Sequence, residues 1–225
     1  METPLVLDLF CGAGGASDGY VRAGFRVIGV DIKPMPQYPY PFIQGDVFDG
    51  EVFDVVSGLL ASATLIHASP PCQAYSPMAN RWRGAGGKAD TRTKAIPAVE
   101  AMLRASGRPW VIENVRGSDM VHGFELTGGM FGLGVHRPRK FKASFDWRVP
   151  SKVPPPEGHV GIYGNGMNRL LWKRSDGSEL RSPETIEIAR QAMGINRPMT
   201  WGVLKEAIPP AYTEYIGNEF RRGYL

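Results

Sequence analysis

The chain has 225 residues, 43% hydrophobic and 21% charged, enough to bury the core of one domain with a small appended lobe. A net charge of +4 and an isoelectric point near 9.1 suit a polyanionic partner without requiring one. A run of about 18 apolar residues and a basic leader are both lacking, so no membrane span is expected and a cytoplasmic setting is. The two cysteines, Cys11 and Cys72, are too few for a disulfide framework or the usual Cys-rich zinc site, and no metal is expected.

In chain order, strand-like apolar runs fall at residues 5–10, 25–31, 53–56, 64–68 and 110–113, separated by helical stretches. Continuous apolar runs alternating with helices predict an α/β, doubly wound, mostly parallel sheet covered on both faces. Ligands of such sheets bind at the carboxyl ends of the strands. Residues 142–182 are rich in proline, glycine and charge and read as a small inserted lobe. Helical patterning returns after Pro183, so residues 1–141 and 183–225 are expected to form the main domain.

The first run ends in Asp8-Leu9-Phe10-Cys11-Gly12-Ala13-Gly14-Gly15, a glycine turn that lets backbone approach a ligand before a helix begins near Ala16. Asp31, at the end of the second run and 17 residues past Gly14, is placed to accept hydrogen bonds from ribose hydroxyls. Gly45-Asp46, after a third extended segment, suits an adenine amino group. The Gly-x-Gly-Gly spacing differs from the Gly-x-Gly-x-x-Gly of dinucleotide sites and tilts the choice toward S-adenosylmethionine. Cys11 is expected to pack within the turn.

After the fourth run, Ser69-Pro70-Pro71-Cys72-Gln73 holds a thiol behind two prolines. Fixed φ angles keep that sulfur in one place, as a nucleophile requires. Glu113 ends the 110–113 run. Arg137 and Arg139, two apart on an expected strand, would share a face or else form a solvated edge. Residues 76–93 interleave Arg81, Arg83, Lys88 and Arg92 with glycines, the composition of a cationic loop that closes on a phosphate backbone or of an ordinary surface loop.

Asp8 to Gly15, Ser69 to Gln73, Glu113-Asn114-Val115 and Arg137-Pro138-Arg139 resemble, in order, the motifs of the DNA (cytosine-5)-methyltransferase family, in its short phage or prophage-type members. Tyr215-Ile216-Gly217-Asn218 is similar to the family's last motif, where a helix returns beside the cofactor. The family's arginine motif usually has glutamine two residues before its first arginine; this chain has Val135.

The resemblance implies a monomeric, S-adenosylmethionine-dependent enzyme with a Rossmann-like fold acting on double-stranded DNA. Its Cys72 thiolate adds to carbon 6 of a flipped-out cytosine, and the resulting enamine takes a methyl group at carbon 5. A free thiol has a pKa of about 8.5, so neighbouring positive charge or hydrogen bonds are expected to favour the thiolate. Glu113 would donate a proton at N3, while Arg137 and Arg139 contact O2, support Glu113 or hold a phosphate.

The cofactor set implied is Asp8, Phe10, Gly12, Ala13, Gly14, Gly15, Asp31, Ile32, Asp46, Val47, Pro70 and Asn218. For DNA it is Gln73, Ser76, Arg81, Arg83 and Arg169, with further lobe candidates at Tyr163, Asn165, Asn168, Trp172, Lys173 and Arg174. Two other readings stay open: a catalytically idle DNA-binding relative, or the same nucleophile acting on RNA or with a modified donor.

Overall fold

Strand β1 (Leu5–Leu9) is buried along its whole length, as a central parallel strand must be when both faces are covered. Its neighbours are β2 (Arg26–Asp31) and β4 (Leu65–Ala68), both parallel to it. The computed structural model describes residues 2–72, 95–164, 166–173, 175 and 177–225. Among these, seven strands form one sheet in the order β3-β2-β1-β4-β5-β8-β6, with β3 (Phe42–Gln44), β5 (Trp110–Val115), β6 (Phe124–Leu126) and β8 (Arg139–Ala143). The pairs from β3 to β5 are parallel, and β8 runs antiparallel to both β5 and β6.

One apolar layer packs Leu7, Leu9 and Ile66 against Val56 and Leu60 of α2 (Gly50–Ser62) and against Val99 and Leu103 of α3 (Ile96–Ala105). The opposite face sets Val6, Leu65 and Val111 against Tyr20 of α1 (Gly15–Arg22) and Tyr212, Ile216 and Phe220 of α6 (Pro210–Tyr224). A third cluster, with Val135, Ile162, Ala189, Met193 and Leu204, joins α4 (Ile186–Met193) and α5 (Trp201–Leu204) to the irregular region. The start of α4 is fixed by Thr185, whose hydroxyl accepts the Ile188 N–H at 3.2 Å, and its end by Gly194 at φ 68°.

The doubly wound expectation holds, with two differences. Residues 53–56 belong to helix α2; the third strand is the edge strand β3. Val52, Val56 and Leu60 recur every fourth residue on the core side, a helical period that a short apolar window does not separate from a buried strand. Arg137 and Arg139 do not share a strand, because β7 (Val135–His136) ends before Arg137 and β8 begins at Arg139.

The irregular region is tied in by short ladders: β7 pairs in parallel with β9 (Val160–Gly161), and β10 (Leu170–Lys173) pairs antiparallel with β11 (Glu179–Arg181). No helix of the described residues is long and apolar enough to cross a membrane.

Candidate active site

The strand order reverses direction between β1 and β4, so the loops leaving their carboxyl ends diverge to opposite faces and leave a crevice. Both sequence motifs of greatest interest leave those two strands. The turn after β1 places Phe10, Gly12 and Gly14 at φ 59°, 50° and 83°. At Gly14 a side chain would also strike Tyr38, 2.9 Å from where its Cβ would stand, so glycine is required there by conformation and by space.

The crevice is a cleft of about 330 Å3, within the size range of small-molecule sites. Asp8, Phe10, Gly12, Ala13, Gly15, Asp31, Ile32, Pro70, Cys72, Glu113 and Arg139 line it, eleven of the residues singled out from sequence. Asp31 accepts the backbone N–H groups of Gly12 and Lys33, each at 3.0 Å, which leaves lone pairs on both oxygens. Asp8 is fully buried: Ser17 donates to its Oδ2, while Oδ1 has no partner among the described residues. Burial pushes its carboxyl up to about 7, and Ser17 only partly offsets this.

The loop that carries Cys72 is fastened from below. Asn114 Nδ2 donates to the Pro70 carbonyl at 2.9 Å, and its Oδ1 accepts the Val115 N–H at 2.9 Å. Cys72 is half-buried, and burial followed by the nearby Glu113 raises its thiol pKa, while Arg139 and Arg137 pull it down. Glu113 and Arg139 form a buried ion pair with Nε 3.0 Å from Oε1. Burial still holds Glu113 above the usual carboxylate range, against Arg139, Ser69 and Arg137. A thiol, a carboxyl held above its usual range and an arginine therefore meet at one wall of the cleft.

A model of C-5 cytosine-specific DNA methylases matches residues 5–120. The chain belongs to that family. A type II methyltransferase, M.AplI of Arthrospira platensis, is 30% identical over 113 residues, which are 50% of this chain and 32% of that protein. The chain thus matches about a third of the length of that curated relative. Among solved structures it is similar to S. pombe Dnmt2 methyltransferase, with a TM-score of 0.66, 13% identity and full coverage of both chains. A protein encoded within an E. coli prophage and described as a DNA modification methyltransferase gives 0.60 at 14% identity, covering 98% of this chain and 99% of that one. The methylase fold is the Rossmann-like fold of S-adenosylmethionine-dependent methyltransferases.

Several residues singled out from sequence stand elsewhere in the methylase. Asn218 lies in the middle of α6, half-buried and away from the residues lining the cleft. The C-terminal segment reaches the cleft earlier, through Val203, Lys205, Glu206, Ala207 and Ile208. Asp46 caps a turn by accepting the Phe48 N–H at 3.0 Å, and Val47 is core; neither lines the cleft, nor does Gly14, which shapes the turn beside it.

Arg137 is fully buried and spends its guanidinium on carbonyls. Nη1 donates to Ile162 at 2.8 Å, Nη2 to Lys205, and Nη2 and Nε to Ala207 at 2.9 and 3.2 Å. Arg169 is exposed, with its backbone N–H donating to Ser182 Oγ at 2.8 Å. Gln73, Ser76, Arg81, Arg83, the rest of the cationic 76–93 segment, Asn165 and Arg174 lie outside the described residues.

Arg197 carried no signal in the sequence, because its role depends on contacts far along the chain. It donates to the Ala13 carbonyl in the glycine turn, to the Gln37 carbonyl at 2.9 Å and to Asp18 at 3.1 Å, pinning the turn to the loop after β2.

Proposed function

We propose that this methylase transfers a methyl group to carbon 5 of a cytosine in double-stranded DNA, with S-adenosylmethionine as donor and Cys72 as nucleophile. One observation carries the reading: the Cys72 sulfur, the Glu113–Arg139 pair and the glycine turn all face one cleft. The residues present fit the donor. Asp31 has free lone pairs for ribose hydroxyls, Ile32 is 57% exposed as an apolar surface for a purine, and the unpartnered Oδ1 of Asp8 awaits a donor. When bound, S-adenosylmethionine supplies an electrophilic methyl group.

In this mechanism the target nucleotide leaves the base stack, and the Cys72 thiolate forms a bond to carbon 6. Arg139 and Arg137 offset the cost of the thiolate, and Glu113 delivers its proton to N3, so the ring carries no net negative charge. Carbon 5 becomes nucleophilic and gains the methyl. Loss of the carbon 5 proton to a base then expels the Cys72 thiolate, and N3 returns its proton to Glu113.

Phosphate contacts are assigned to Arg81 and Arg83, with Gln73 and Ser76 beside the base and Arg169 on the lobe. Arg137 serves the reaction through the wall it builds and the charge it places near Cys72.

Incubation with DNA containing 5-fluorocytosine and S-adenosylmethionine tests this directly. Fluorine cannot leave as the proton does, so the wild type should be trapped as a covalent complex stable to denaturation. Nucleoside mass spectrometry of ordinary DNA should show 5-methylcytosine. Cys72→Ala should lose both signals; persistence of 5-methylcytosine in that variant would overturn the assignment. Trapping on RNA in place of DNA would reassign the substrate.

A further inference from the structure

Arg197 takes no part in the chemistry above and does not line the cleft, yet it grips two of the cleft's walls from behind. The first wall is the turn after β1, where Phe10, Gly12 and Gly14 all stand at positive φ. Such a backbone is strained at Phe10 and costly in entropy at the glycines, so contacts from outside must hold its shape. Asp31 holds the Gly12 N–H at 3.0 Å, and Arg197 Nη2 donates to the next carbonyl, that of Ala13. The second wall is the loop after β2, which presents Lys33 and Met35 to the cleft; Arg197 Nη1 donates to its Gln37 carbonyl at 2.9 Å. The third edge of the guanidinium, Nε, donates to Asp18 Oδ2 of α1 at 3.1 Å, and Tyr40 donates to Oδ1 of the same carboxylate at 2.8 Å. On either side of Arg197, Ile195 and Met199 are buried in the third apolar cluster, which fixes where the side chain starts.

We propose that Arg197 is a positioning residue for the methyl donor: its fork holds the glycine turn and the loop after β2 in the arrangement the donor needs, before the donor arrives. The inference rests on the cleft being the S-adenosylmethionine site. A planar guanidinium aims its donors in fixed directions along three edges, which one ammonium cannot match, so two carbonyls and a carboxylate around one side chain call for arginine. Without it the free protein would sample other conformations of the turn, and binding would have to order them again, which lowers affinity. The loss would fall on donor binding, because Cys72, Glu113 and Arg139 are fastened through other contacts, Asn114 on the Pro70 carbonyl and Arg139 on Glu113.

Isothermal titration calorimetry of the full chain with S-adenosylmethionine, and with 5′-methylthioadenosine, which lacks the amino-acid part, tests this. Arg197→Ala should raise the Kd of both ligands by about tenfold, the scale of one lost hydrogen bond from a charged donor. Methylation kinetics should show the same rise in the donor KM, with kcat and the KM for DNA within about twofold of the wild type. Amide exchange in the ligand-free chain should quicken at residues 12–14 and 35–38. Arg197→Lys should fall between wild type and alanine, and it carries the test if the alanine variant does not fold. An arginine that only stabilises the fold would lower the melting temperature and leave both Kd values unchanged well below the melt, and that result would overturn the proposal. A rise for S-adenosylmethionine alone would overturn it as well, by putting the guanidinium on the donor's own carboxylate. A wild type that binds neither ligand would sink the donor reading and this proposal with it, whereas normal wild-type binding with an unmoved Kd in the variants would sink this proposal alone.

Discussion

Asp8 and His67 are register partners on β1 and β4, and burial drives both toward neutrality with opposite consequences for stability. The folded His67 pKa of about 3 lies below its ordinary 6.5, so between these values the unfolded chain binds more protons and stability falls as pH drops. The folded Asp8 pKa of about 7 lies above its ordinary 3.8, so its contribution is full below 3.8 and fades as pH rises toward 7. In the wild type the two effects offset each other.

Variants separate them. His67→Gln should be less stable than the wild type at pH 8, and the gap should close by about 1.4 kcal/mol per pH unit below 6.5. Thermal melts from pH 4.5 to 8 check this, and a gap independent of pH would show that His67 does not resist protonation. The sequence announced Cys72 and Glu113 through their neighbours, whereas no motif surrounds His67 or Arg197. Their partners, Tyr20 47 residues away and Ala13 184 residues away, exist only once the chain has folded.

At the level of elements, α1 and α6 cross so closely that the main chain of one meets the other at a glycine. A Cβ on Gly19 would collide with the Pro210 carbonyl and the Thr213 hydroxyl and stand 2.7 Å from the Glu214 nitrogen. Gly19→Ala should therefore destabilise by about 2–3 kcal/mol, as overpacking does. Gly58, inside α2, faces open space, and Gly58→Ala should stabilise by about 0.5–1 kcal/mol. Denaturant melts of the two variants should move in opposite directions, and equal shifts would contradict the close crossing.

Elements were legible where burial covers both faces: β1, β2, β4 and β5 are continuous apolar runs. The segment at 53–56 was misread because a short apolar window carries no period of its own. Asn218 stands apart from the residues lining the cleft for a related reason. Gly217 beside it serves packing, since a Cβ there would stand 2.9 Å from Ala23, and only the tertiary arrangement reveals that residues 203–208 face the cleft.

Across the whole molecule, Arg137 is the junction. Its guanidinium joins the turn before β8 to the Ile162 carbonyl of the irregular region and to the Lys205 and Ala207 carbonyls of the C-terminal segment. Lysine offers one ammonium where a fork is needed, so Arg137→Lys should lose on the order of 3 kcal/mol. Hydrogen exchange should quicken around residues 160–162 and 205–208 while β1 and β4 stay protected. Unchanged exchange with lost methylation would instead place the Arg137 guanidinium in the chemistry.

The cleft joins residues 8–16 to residues 203–208, the first strand to a segment translated long after it. A ribosome that has delivered Cys72 has thus made only part of the enclosure around it. Polypeptides released before Ile208 would carry Cys72, Glu113 and Arg139 but no far wall, so under the proposed reaction premature termination should yield products that leave cytosine unmethylated.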